Sequence, residues 1–474
     1  MSDARAAFLA GEHLITSDVR TIQSPYDKRP VAKICFGDAQ DLDRAIGLAA
    51  QKASELAAWP AHERAAVLDR TREILATKID EFSQAIVAEA GKPIDIARSE
   101  VLRCLDTFTD AALAARTLTG EMIPLDAASS GEGRLGMIRR FPVGPVAGIS
   151  PFNFPLNLVA HKIAPAVAAG CPMVLKPASQ TPTAALMLAD VLGQAGLPKG
   201  ALSVLPLSHT EAGALSTDPR LRLLSFTGSP DVGWALKKRA SHMRVLLELG
   251  GNAGNIVCED ADIDRACQKL AGGAFAYAGQ SCISVQRIYI HRDIFPSFVK
   301  AYTSHIRDNV RAGDPNDHGI MVGPLISPED AVRVQKWVQE AIDNGAELAC
   351  GGEYQGSVFQ PTVLLNPQHD DRVVSCEVFG PVVSLFPYDD LEQAFSAIND
   401  SPYGLQAAIF TRDLETVLRA HETLEVGGVM HNEASAFRVD LMPYGGIKGS
   451  GLGREGPRHA VYEYTEPRIL VLSR

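Results

Sequence analysis

Nowhere in the 474 residues does an apolar stretch approach 20 positions, so no segment reads as a membrane-spanning helix. Basic residues do not cluster either. The 45 Lys and Arg stand against 56 Asp and Glu, a formal charge of -11, and this leaves no cationic footprint for a polyanion such as nucleic acid. Eight cysteines, at 35, 104, 171, 258, 267, 282, 350 and 376, form no CxxC pair and no dense array. That spacing argues against a zinc site or a disulfide framework. Internal repeats and low-complexity segments are also missing. The first 20 residues, "MSDARAAFLAGEHLITSDVR", mix charges from the start and lack the apolar centre of a secretory signal. These absences lead to the expectation of a cytoplasmic, reduced protein with no metal, no membrane and no nucleic acid among its partners.

What is present is a composition that folds: 46% hydrophobic and 21% charged, in a chain longer than one core usually organises. Two or three structural units are expected. Residues 41–117 repeat apolar positions at helical spacing, with one run ending near Gly91. From Val143 onward, short apolar runs such as "CPMVLKP", "ALSVLPL" and "LRLLSFTGS" alternate with helical stretches, the pattern of a parallel sheet with crossover helices. A second such region runs from about Gly251 to His459, with strands expected in "NIVCED", "VQRIYIH" and "VVSLFPY". Between 119 and 141 two short strand-like pieces flank a Ser/Gly-rich turn and read as a hairpin. The last segment, "EPRILVLSR", is a lone strand candidate that needs a distant segment or a second subunit as partner.

Several motifs invite a chemical reading. "GGIKGSGLGREG", residues 445–456, is glycine-rich, but Arg454 breaks the dinucleotide spacing and no clear strand precedes it, so it reads as a loop. "FTGSPDVG" is better placed, after an apolar run and at the start of a helix. Gly228 permits a tight turn there, and Ser229 can cap the helix, whose first amides suit a phosphate. Cys282, in "YAGQSCISVQ", follows a Gly-Gln-Ser turn at the edge of a strand. It is either a thiol nucleophile shown to a cleft or one more small buried hydrophobe. Glu248 ends the apolar run "VLLELGGN", as a general base with a raised pKa or as a salt-bridged structural carboxylate. Asn153, between prolines and aromatics in "SPFNFP", is an oxyanion donor or a turn former.

Taken jointly, "SPFNFPLNLVAHKIAPAVAAGCPMVLKPA", "SFTGSPDVG", "LLELGGN", "GQSC", "EVFGPV" and "MPYGGIKGSGLGREG" resemble the aldehyde dehydrogenase superfamily, in order and spacing, across almost the whole chain. Cys282 lies 34 positions after Glu248, as in that family. The resemblance implies an α/β fold of three parts. These are a Rossmann-type cofactor domain (1–118 and 142–250), an α/β catalytic domain (251–460) and a small β oligomerisation arm (119–141 and 461–474). It also implies Cys282 as nucleophile, Glu248 as base, and Asn153 with the Cys282 amide as oxyanion site. The cofactor wall would comprise Pro151, Phe152, Lys176 at the adenosine ribose, Gly228 and Ser229 beside the pyrophosphate, and Glu377 and Phe379 at the nicotinamide side.

The activity so implied is oxidation of an aldehyde to a carboxylate with NAD or NADP, through a thiohemiacetal and a thioester, in a homodimer or homotetramer. Ser179 stands where many NAD-preferring members have a glutamate that repels a 2′-phosphate, so NADP should be tolerated or preferred. Ser281 replaces an arginine found in some phosphate-directed relatives. Arg103 and Arg438 are candidate anchors for an anionic tail, although surface arginines are the ordinary alternative. "GQSCISVQRI" and "FRVDLMPYGG" resemble the lactaldehyde-dehydrogenase-like branch, which implies a short hydroxylated or anionic aldehyde. A coenzyme A-acylating semialdehyde dehydrogenase and a non-catalytic scaffold are the alternatives.

Overall fold

The computed structural model describes residues 4–473; positions 1–3 and 474 of the expected first and last segments lie outside the described residues. Four helices, Ala39–Ala57, Ala61–Ala76, Ile79–Ala90 and Ile94–Thr117, fill the region of helical periodicity. Asp38 starts the first as an N-cap that accepts from the amides of Gln40 and Asp41, and Gly91 ends the third in a left-handed conformation, φ 62°.

An eight-stranded sheet runs in the order Glu12–Leu14, Ala7–Leu9, Leu202–Val204, Met173–Lys176, Val146–Ile149, Leu223–Thr227, Arg244–Glu248, Gly451–Leu452. Its five central strands are parallel and buried along their length apart from Ile149 and the Arg244 end, which is why they read as continuous apolar runs rather than alternations. A seven-stranded sheet follows, from Glu347–Cys350 through Thr362–Leu365, Val382–Tyr388, Val285–His291, Ala253–Val257 and Gln406–Phe410 to Gly428–His431. All its pairs but the first are parallel.

The hairpin between 119 and 141 consists of Glu121–Ile123 and Arg134–Pro142. The final strand, Thr465–Ser473, finds its partner within the same chain, pairing antiparallel with Arg134–Pro142 over nine residues. Two features depart from expectation. Short strands before residue 36 join or flank the first sheet, and their length of three to six residues gives too little alternation to be read. The glycine-rich segment read as a loop contains Gly451–Leu452, which closes the sheet edge against Leu247 and Glu248; glycines allow the close backbone approach, since a Cβ on Gly451 would meet the Leu247 carbonyl oxygen at 2.3 Å.

Candidate active site

In a parallel sheet, ligands collect where the strands end at their carboxyl side. Four adjacent strands of the first sheet end there in Ile149, Lys176, Thr227 and Glu248, and each leads into a residue named from the sequence. The second sheet faces the same space from its amino ends: Cys282 precedes Val285–His291, and Glu377 and Phe379 precede Val382–Tyr388. A cavity of about 540 Å³ between them is lined by Cys282, Glu248, Asn153, Lys176, Ser179 and Glu377, and also by Pro151, Phe152, Gly228, Ser229, Phe379, Arg103 and Arg438. All thirteen site residues expected from the sequence therefore line one cavity.

Cys282 is half-buried, one of eight free thiols. The chain reaches it through Tyr277, Ala278 and Gly279, with φ of 53°, 56° and 67°. Only the glycine adopts this region without cost, so the turn is held by contacts. The Tyr277 hydroxyl donates to the Ala90 carbonyl at 2.9 Å, and the Gln280 amide donates to the Pro324 carbonyl at 3.2 Å. Burial pushes the Cys282 thiol up to about 12; the Tyr444 hydroxyl, 2.9 Å from the sulfur, opposes that rise.

Asn153 is buried, its amide donating 2.9 Å to the Gln280 carbonyl while its Oδ1 has no partner. The turn that carries it is fixed from behind. Glu100 accepts from the backbone amides of Leu156 and Asn157 at 2.9 and 3.0 Å and pairs with fully buried Lys92. The Lys92 ammonium lies 3.7 Å from the Phe154 ring centre and 4.7 Å from that of Tyr277.

Glu248 is buried with Oε2 unpartnered. Burial, reinforced by the neighbouring Glu455 carboxylate, holds it well above the usual carboxylate range. Glu455 itself is held low against its burial by Lys162, 3.3 Å away, and by Arg438 at 3.4 Å. Arg438 also lies 3.7 Å from the Tyr444 ring centre. Arg103 makes a two-point pair with Asp440, at 2.8 and 3.0 Å. Asp440 further accepts from Asn157 at 3.0 Å and meets His161 at 2.7 Å, so both arginines border one polar network.

The cofactor wall suits a dinucleotide. Lys176 is buried, its ammonium touching only the Pro177 carbonyl at 3.4 Å, and burial pushes it down to about 8; an ammonium so poorly satisfied fits ribose hydroxyls or a phosphate. Glu377, pushed up to about 7 by burial, accepts from the Gly251 amide at 2.9 Å. Gly250 leaves the room: a Cβ there would stand 2.3 Å from the Glu377 carboxylate. Phe152 and Phe379 meet edge to face at 5.9 Å. Ser229 occupies the N-cap position of the helix Pro230–Arg239, yet its side chain makes no capping bond, so the expected cap is positional only. The Ser179 hydroxyl donates to the Leu207 carbonyl at 3.3 Å, with His209 in the same wall.

Sequence reading missed Tyr444, Glu455, Lys162 and His209. For Lys162 a signal existed, since a lysine inside the apolar helix Asn157–Ala169 needs a buried partner.

The chain matches the aldehyde dehydrogenase family over residues 15–470. It is 41% identical over 467 residues to the 3-sulfolactaldehyde dehydrogenase of Priestia aryabhattai, covering 98% of this chain and 97% of that protein. With the lactaldehyde dehydrogenase of Methanococcus maripaludis strain C7 the identity is 36% over 470 residues, covering 98% and 99%. Among solved structures, aldehyde dehydrogenase 21 from Physcomitrella patens, in complex with the reaction product succinate, superposes with a TM-score of 0.97 at 41% identity, covering 100% and 99%. The glyceraldehyde-3-phosphate dehydrogenase GapN of Methanocaldococcus jannaschii, complexed with NADP, gives 0.93 at 36%, covering 97% and 100%. The chain belongs to the aldehyde dehydrogenase family and is an NAD(P)-dependent aldehyde dehydrogenase.

Proposed function

We propose that the chain oxidises a short aldehyde bearing an anionic tail, of the hydroxylated lactaldehyde, sulfolactaldehyde or semialdehyde type, to the carboxylate. The observation that carries this reading is the pairing of Arg103 and Arg438 on the wall that also holds Cys282. Their carboxylate partners do not saturate them: Arg438 keeps an unpaired Nε, and Arg103 is part-exposed toward the cavity. Two guanidiniums suit a carboxylate or sulfonate better than an apolar tail.

In this reading Cys282, as thiolate, attacks the aldehyde carbon, and the carbonyl electron pair moves to oxygen. The side-chain amide of Asn153 and the backbone amide of Cys282 hold that oxyanion. Lys176, Glu377, Gly228 and Ser229 hold and orient a nicotinamide dinucleotide. Bound there, the dinucleotide would supply the hydride acceptor. Glu248 then takes a proton from water as the water attacks the thioester, the carboxylate leaves, and the thiol is regained. The raised pKa makes the ionised Glu248 a stronger base than an ordinary carboxylate.

Residues 1–118 and 142–250 are read as the cofactor part, 251–460 as the catalytic part, and 119–141 with 461–474 as an arm. Exposed Ile469, Leu470, Val471 and Leu472 on the arm suit a homodimer or homotetramer, checked by light scattering. Eight free thiols suit a reducing cytoplasm.

The test is reduced-nicotinamide formation from a panel of neutral and anionic short aldehydes, with and without coenzyme A, by the wild type and by Arg438→Met and Glu248→Gln. Arg438→Met should lower kcat/KM for anionic aldehydes at least tenfold more than for neutral ones, whose loss reflects only the field of the guanidinium at the thiol. Glu248→Gln should accumulate the Cys282 thioester, visible by mass spectrometry. Equal losses on neutral and anionic aldehydes would remove the tail assignment. Turnover only with coenzyme A would make the enzyme acylating.

A further inference from the structure

The hydroxyl of Tyr444 stands 2.9 Å from the Cys282 sulfur, and the guanidinium of Arg438 lies 3.7 Å from the centre of the same phenol ring. The ring is buried, and its backbone is tied in both directions to Glu455: the Tyr444 amide donates at 3.1 Å and its carbonyl accepts at 2.6 Å. The contact with sulfur is therefore set by the fold rather than by a mobile side chain. We propose that Tyr444 is a catalytic residue, whose O–H donates a hydrogen bond to the Cys282 thiolate and so activates the nucleophile. The proposal rests on the reading of Cys282 as the attacking thiol.

The charges around the pair make such a donor necessary. Glu248 and Glu377 face the sulfur, and negative charge on either disfavours a thiolate. Arg438 is the cation whose field reaches both groups, and it does so across the phenol ring. A cation over the ring face draws electron density from it and strengthens the O–H as a donor. Burial holds the Tyr444 proton far above the ordinary phenol range, so the hydroxyl remains a donor when the thiol ionises.

The step balances simply. The thiol proton leaves to water in the cavity, while Tyr444 keeps its own proton and shares it with the sulfur. The S–C bond then forms as the carbonyl pair moves to oxygen. As the thiohemiacetal forms, the sulfur loses its charge and the Tyr444 bond weakens. The donor thus acts on the nucleophile and not on the oxyanion, the task read for Asn153. The arrangement also links recognition to reactivity, because one aromatic ring separates the guanidinium read as the tail anchor from the reacting sulfur.

Alkylation by iodoacetamide across pH, mapped to Cys282 by mass spectrometry on the full-length protein, tests this. For Tyr444→Phe the pH midpoint of Cys282 alkylation should rise by about one to two units, and the rate at neutral pH should fall about 10- to 100-fold. The value of kcat/KM should fall in parallel and recover at alkaline pH. A ring that merely packs would leave the midpoint where it is in the wild type, and that result would overturn the proposal. Cys282→Ala separates the two assignments: retained turnover in that variant would remove the nucleophile, whereas an unmoved midpoint with an inactive Cys282→Ala would remove only Tyr444.

Discussion

Asn153 and Gln280 are joined by a 2.9 Å hydrogen bond from the asparagine amide to the glutamine backbone carbonyl. The bond fixes the amide group two residues before the thiol and spans the two sheets, because Asn153 follows a strand of one and Gln280 precedes a strand of the other. An amide has a second N–H, and this is the one free to meet an oxyanion. Asn153→Ala should lower kcat by about 10²–10³-fold with a small change in substrate KM, measured by steady-state kinetics. A loss confined to KM would assign Asn153 to ground-state binding instead.

Ser179 bears on the choice between cofactors. Its small neutral side chain donates to Leu207 and puts no charge beside Lys176. Ser179→Glu should raise KM for NADP at least tenfold while affecting NAD less, because a carboxylate lining the same cavity as Lys176 repels a 2′-phosphate, and a tenfold change corresponds to about 1.4 kcal/mol. Equal effects on the two cofactors would mean that the 2′-position lies elsewhere.

Lys176 gives the cofactor site a pH dependence. Burial lowers its pKa to about 8, so in the free enzyme the ammonium is present below that pH and is lost above it. Dinucleotide binding, followed by fluorescence quenching, should weaken between pH 7 and 9, more steeply for NADP than for NAD. Lys176→Met should bind weakly at both pH values and flatten the profile. A wild-type profile that stays flat would mean that the ammonium makes no contact with the dinucleotide.

Lys92 and Glu100 form an ion pair sealed from solvent, with the carboxylate also bonded to the turn behind Asn153. Removing one charge leaves the other buried and alone, so Lys92→Met should cost about 3–5 kcal/mol of stability, read from the denaturant midpoint. Lys92→Met combined with Glu100→Gln should recover part of that loss, because Gln retains an acceptor for the Leu156 and Asn157 amides. A double variant less stable than Lys92→Met would contradict this account.

Much of this site was legible because the residues concerned break the local pattern around them. Glu248 interrupts an apolar run and Cys282 follows a turn; Lys176 is a charge at the end of a buried strand. Tyr444 and Glu455 gave no such signal. They sit in a glycine-rich segment whose ordering depends on the remote strand Arg244–Glu248, a pairing across some 200 positions that local periodicity does not encode. Arg103 carries the same lesson. Its place on a helix was readable, while its partner Asp440 is 337 positions away. The arm strand was recognised as unpartnered, although composition could not distinguish a second subunit from Arg134–Pro142.

The edge pairing of Gly451–Leu452 with Leu247 and Glu248 has a bearing on how the protein is made. Arg438, Tyr444 and Glu455 come from the same late stretch, and the nine-residue pairing of Thr465–Ser473 comes later still. While the ribosome is translating, Cys282 and Glu248 therefore exist for some 160 codons without the neighbours that adjust their acidity. A chain released early would carry the thiol and the carboxylate but neither the phenol beside the sulfur nor the strand that covers Glu248. Completion of the reactive centre thus waits on segments some 160 residues downstream of Cys282.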